Sequence, residues 1–131
     1  MAKTFEELAA WAQARELVSR MYELTKRQRF ARDPGLTGQI RRSSVSVMAN
    51  IAEGFERGSN TEFIQFLYIA KGSAGETRSH LAVALDQLYI TADEHRASCE
   101  QCRRVAGTIA GLIGYLKDSA LKGPKYRKAA S

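Results

Sequence analysis

Ser46, Asn50 and Glu53 stand at one-turn spacing among apolar neighbours in "SVSVMANIAEGFERG", residues 44–58. A helix turns about 100° per residue, so Ser43, Ser46, Glu53 and Arg57 all fall within about 60° of Asn50. They form one narrow polar stripe. Further along, Ser73, Glu76, Thr77 and His80 share a similar face. Two chemistries suit such faces. The first is an interhelical polar network of Ser46, Asn50, Glu53, Ser73 and Glu76, which would fix helix register or partner choice; buried polar groups left unpaired cost about 1–3 kcal/mol each. The second is a carboxylate-bridged di-metal site. That recipe needs Glu-x-x-His on two helices plus two further glutamates. "ETRSH" places Glu76 and His80 four apart, no second such motif occurs, and Glu53 alone joins them. The network is the favoured reading, and the di-metal enzyme a remote one.

The remaining reactive residues point the same way. Cys99 and Cys102 spell C-x-x-C, but a zinc site needs two more ligands, and His80 and His95 stand at no standard spacing. Both cysteines fall on the apolar stripe of their helix and read as small buried residues. No Gly-rich phosphate loop and no Ser/His/Asp arrangement occurs. No catalytic residue, metal or cofactor is expected, and the chain reads as a non-enzyme.

Helices must position these residues, and their starts are well marked. Thr4 to Glu7, Ser59 to Glu62 and Thr91 to Glu94 have capping-box form, and Asp33 precedes a proline at the first helical position. Four starts predict four helices, over 5–29, 34–56, 60–90 and 92–121. Leu8, Trp11, Ala14, Val18 and Met21 recur at three- and four-residue steps, as do Cys102, Ala106, Ile109, Ile113 and Leu116. Short links predict an all-α, antiparallel, up-down-up-down four-helix bundle. The bundle should occupy 1–121, followed by a flexible basic tail over 122–131.

Two helices are greasier than a lone bundle needs. "EFIQFLYIA", residues 62–70, is apolar nearly all round, and 45–55 is apolar on more than one side. Phe55, Phe63, Phe66 and Tyr68 are therefore candidate contacts between copies of the chain. Glycines within the helices, among them Gly72, Gly75, Gly107, Gly111 and Gly114, are consistent with close backbone approach.

The chain has 131 residues, 44% of them apolar, and a net charge of +6. That suits one domain with a core of its own. The charge is clustered. Lys26, Arg27, Arg29, Arg32, Arg41 and Arg42 face only Asp33 within 26–42, a local +5. Lys117, Lys122, Lys125, Arg127 and Lys128 face only Asp118 within 117–131, a local +4. Clustered cations suggest an anionic partner, RNA or DNA, held through its phosphates with little sequence readout. All but Lys117 are candidate contacts. Tyr126, in the tail, is the one aromatic placed to stack on a base. The alternative is an assembly scaffold in which the cations only aid solubility. No window approaches the ~18 apolar residues of a membrane span, and no signal peptide precedes the first helix, so a cytoplasmic protein is expected.

From Leu36 to Glu76 the chain resembles the small proteins encoded in intervening sequences of bacterial 23S rRNA genes. Their relatives include the accessory variability proteins of diversity-generating retroelements. The likeness rests on Leu36, Thr37, Gln39, Arg41, Arg42, Ser46, the run Asn50-Ile51-Ala52-Glu53-Gly54, then Glu62, Phe63, Phe66, Leu67, Ala70, Gly72, Ser73 and Glu76. It implies a four-helix bundle assembled as a ring-like homopentamer, without catalytic residues and associated with nucleic acid. The more distant retroelement branch implies a reverse-transcriptase partner. Met48 stands where the family often has proline, which would soften a kink there.

Overall fold

The computed structural model describes residues 2–121. They form a 3₁₀ turn, Phe5–Glu7, and five helices: α1 (Ala9–Thr25), α2 (Gln28–Ala31), α3 (Pro34–Glu56), α4 (Asn60–Asp86) and α5 (Ala92–Leu121). No strand occurs among the described residues. None of these helices is long and apolar enough to cross a membrane. The cations at 122, 125, 127 and 128, and Tyr126, lie outside the described residues.

Caps place the helix starts. Asp33 accepts a hydrogen bond from the Leu36 N–H at 3.1 Å, with Pro34 leading α3. Ser59 accepts from the Glu62 N–H at 3.1 Å. At α5 the box is reciprocal: the Glu94 N–H donates to Thr91 at 3.1 Å, and the Thr91 N–H donates to Glu94 at 2.9 Å. The Arg27 guanidinium pairs with the same carboxylate, and these bonds, led by that from Thr91, hold Glu94 below the usual carboxylate range.

The first helix differs from the single element expected over 5–29. Leu8 is extended, at φ −76° and ψ 129°, which separates the 3₁₀ turn from α1. Arg27 is extended too, at φ −64° and ψ 146°, which separates α1 from α2. Both breaks lie beside packed residues: Leu8 is buried in one core cluster and Phe30 in the other. α4 ends at Asp86 rather than 90. Leu88 closes it in the left-handed region at φ 62°, while the Tyr89 N–H donates to the Ala84 carbonyl at 2.9 Å. This is the Schellman arrangement, built on a leucine where glycine is usual.

The four long helices share a core, with α3 against α1 and α4, and α5 against α1 and α4. The core has two apolar clusters. One holds Ala14, Val47, Ile51, Leu67, Ala74, Val105 and Ile109; the other holds Leu17, Met21, Phe30, Ile40, Leu81 and Cys102. Along every long helix the change of cluster falls within one or two turns. On α3 and α4 it falls where Ser43, Ser44 and Thr77 are buried. Hydroxyls thus mark the change of cluster on α3 and α4, and not on α1 or α5.

Candidate functional site

The polar stripe of α3 splits in two. Its inner part meets α4. Ser43 and Thr77 hydroxyls lie 2.8 Å apart, and those of Ser46 and Ser73 lie 2.9 Å apart. Asn50 stays on its own helix, donating to the Ser46 carbonyl at 2.8 Å and to the Ser46 hydroxyl at 2.9 Å. Thr77 also has the Ser73 carbonyl at 2.9 Å, and Ser43 the Ile40 carbonyl at 3.2 Å; with one proton each, one of the two hydroxyls donates to its own helix while the other donates across the seam. A hydroxyl is small enough to bond its own helix and still reach the neighbour, so this seam closes without burying a charge.

The two carboxylates take no part in it, contrary to the network drawn from spacing. Glu53 is half-exposed and pairs with Arg57 at 2.8 Å, one turn along α3. Glu76 is exposed and meets His80 at 3.3 Å, one turn along α4. Desolvating a carboxylate against a hydroxyl seam would cost more than the seam returns, and a basic partner on the same helix is nearer. No group of three or more His, Cys, Asp or Glu close enough to hold a metal occurs among the described residues.

The Ser43–Thr77 contact gives a measurable coupling. Ser43→Ala and Thr77→Val should each lower stability by about 1 kcal/mol. The double variant should lose less than the sum, with a coupling of about 0.5 kcal/mol or more. Urea unfolding of the four proteins measures it, and strictly additive losses would show that the two hydroxyls do not interact.

The candidate cations of 26–42 gather at one end of the bundle. Arg41 links the two runs of sequence: its Nε donates to Thr25 Oγ1 at 2.9 Å, and its guanidinium lies 4.4 Å from the Tyr22 ring centre. That stack is a cation–π contact. Arg29 lies 5.8 Å from the Tyr89 ring centre. Lys26 is 3.8 Å from Glu23, both well exposed, an ion pair of little weight. Arg32 and Arg42 are exposed. Beside them a hollow of about 460 Å³ is lined by Tyr22, Arg41, Arg42, Ser46, Asn50 and, on its acidic side, Glu53. A second, of about 470 Å³, holds Gln39, Arg42, Ser43, Ser46 and Glu76. Arg42 and Ser46 belong to both, so the outer side of the seam continues into a basic surface. The spacing of Tyr22 and Thr25, one turn apart, was the available signal for this surface; that Arg41 would bridge them needs the packing of α1 on α3.

The apolar candidates separate as well. Phe63 is 4% exposed and belongs to the core of its own chain, which corrects its assignment to a contact between copies. The reason is that α4 has α3 on one side and α5 on another, so part of its all-round apolarity is used internally. Phe55 is half-buried, with its ring edge-on to Phe63 at 5.8 Å. Phe66 is half-buried, with the Arg57 guanidinium 4.9 Å from its ring centre. Tyr68 is 48% exposed, its hydroxyl 2.7 Å from Lys117 Nζ, and beside it in sequence Ile69 is 52% exposed.

These features define a class: a helical-bundle protein with a hydroxyl seam between two long helices and a basic end. Within that class the chain belongs to the 23S rRNA-intervening sequence protein family, whose model matches residues 6–111. Its fold is similar to the crystal structure of a protein with unknown function from the S23 ribosomal protein family of Bacteroides thetaiotaomicron. The two share 24% identity at a TM-score of 0.72, over 80% of this chain and 98% of that one. No match was found among curated proteins.

Proposed function

We propose that the protein is a non-catalytic accessory factor, an antiparallel four-helix bundle that assembles with copies of itself and binds RNA or DNA through phosphates. The observation that carries this reading is the Arg41–Thr25 bond at 2.9 Å, which brings the cations of α3 beside those around α2. Separate runs of sequence thereby act as one cationic end, the footprint that a phosphate backbone requires. Contacts to phosphate position the nucleic acid without reading its bases, so sequence preference is low. The exposed Tyr68 and Ile69 favour contact between copies, and also support a second reading as an assembly scaffold without nucleic acid.

A labelled single-stranded RNA and a DNA duplex test the first reading. Affinity should fall steeply, by about a hundredfold or more, as salt rises from about 50 to about 200 mM. Arg32→Glu and Arg42→Glu should each weaken binding about tenfold on every sequence tried, and each should flatten the salt slope by about one unit. Binding that ignores salt, or no binding by an intact oligomer measured by light scattering, would leave the scaffold reading in its place.

A further inference from the structure

Between α4 and α5 lies a separate, open hollow of about 370 Å³, with Gly75, Arg78 and Ala82 on one side and His95, Cys99 and Arg103 on the other. That volume lies within the range of small-molecule clefts. A Cβ at Gly75 would meet nothing within 4 Å, so the space beside it is open. Cys99 Sγ and His95 Nε2 stand 3.4 Å apart, one turn apart on α5. A nucleophile thus has a proton acceptor within reach, and two guanidinium groups line the same space. The binding proposed above uses none of them.

The next cysteine is a built-in contrast. Cys102 is 0% exposed and does not line the hollow. Burial, with Cys99 as the next cause, pushes its thiol up to about 12. It stays protonated near neutral pH and is a poor attacking group.

We propose that Cys99 is a thiol-modification site, which exchanges with small anionic disulfides drawn into the α4–α5 hollow by Arg78 and Arg103. The Cys99 thiol gives its proton to His95 Nε2. The thiolate then attacks one sulfur of the disulfide RSSR. A Cys99–S–SR bond forms as the reagent's S–S bond breaks, and the leaving thiolate takes up the proton as RSH. The protein thiol is oxidised, half of the reagent is reduced, and no other oxidant is needed. Cys99 is 6% exposed, so its sulfur is reached through the hollow, which favours compact reagents. Cys102, held as a thiol, does not readily expel the adduct, and the mixed disulfide persists.

Dithiodiglycolate, a compact disulfide bearing two carboxylates, is the probe, used on the full folded chain. Intact mass should rise by one adduct per chain, and peptide mapping of the unaltered protein should place it on Cys99. Cys102→Ser should keep the adduct and Cys99→Ser should lose it. His95→Gln should slow the reaction about tenfold to a hundredfold. Arg78→Ala with Arg103→Ala should slow it about tenfold, while leaving the uncharged 2,2′-dithiodipyridine nearly unaffected. Labelling of Cys102 as often as Cys99, or labelling no faster than global unfolding measured by hydrogen exchange, would overturn the site. Equal effects of the arginine changes on both reagents would overturn its preference for anions.

Discussion

Gly54→Val will cost the bundle about 3 kcal/mol or more, and Gly54→Ala about 1–3 kcal/mol, although both replace a glycine inside a helix. A Cβ at Gly54 would lie 2.6 Å from Phe66 Cβ, 3.1 Å from Phe63 Cδ1 and 3.4 Å from the Phe63 carbonyl oxygen. The nearest of these atoms is fixed to the α4 backbone, so no rotamer change relieves the clash and the two helices must part. Alanine would otherwise gain about 1 kcal/mol of helix propensity, and the clash outweighs that gain. Gly72 and Gly111 supply the control. A Cβ at either would meet nothing within 4 Å, so Gly72→Ala and Gly111→Ala should be neutral or stabilising by up to about 1 kcal/mol in the isolated chain. Urea unfolding followed by circular dichroism separates the two groups. An unchanged midpoint for Gly54→Val would show that α3 and α4 do not meet at this glycine.

Gly54 also illustrates what the sequence could and could not disclose. Its place in "NIAEG" marks the family, yet nothing local says that its missing side chain is filled by Phe66 of the next helix. The starts of α3, α4 and α5 were legible because Asp33, Ser59 and Thr91 act within three residues of themselves. The breaks at Leu8 and Arg27 were not, because "ELAAW" and "TKRQR" contain no proline or glycine, and no local signal announces that Leu8 and Phe30 are buried by tertiary packing. The end of α4 was obscured for a related reason, since Leu88 occupies a left-handed position that usually advertises itself with glycine. In the polar stripe, spacing correctly grouped Ser46 with Ser73 on facing sides. It could not separate hydroxyls from carboxylates, because angular position is the same for both while desolvation cost is not.

Phe30→Ala should have the other large effect, and one that reaches function. Phe30 is 1% exposed and carries α2, a helix of four residues that has too few hydrogen bonds to stand alone. Its ring lies 5.1 Å from that of Tyr89, whose hydroxyl donates to Asp33 at 3.1 Å. Its carbonyl accepts from the Asp33 N–H at 3.0 Å and from the Thr37 hydroxyl at 3.1 Å. Truncation to alanine removes the ring from a packed cluster, at a cost of about 3–5 kcal/mol. Lys26, Arg27, Arg29 and Arg32 flank this anchor in sequence, so its loss should also release them from their common placement beside Arg41. Leu67→Ala, at a fully buried position in the other cluster, should cost a comparable 2–5 kcal/mol or so without touching the basic end. At a temperature where both variants remain folded, Phe30→Ala should bind RNA or DNA about tenfold more weakly than Leu67→Ala, because phosphate contacts add only when the cations are held together. Equal affinities would mean that the cations around α2 are not the phosphate-binding face, however much stability Phe30 supplies.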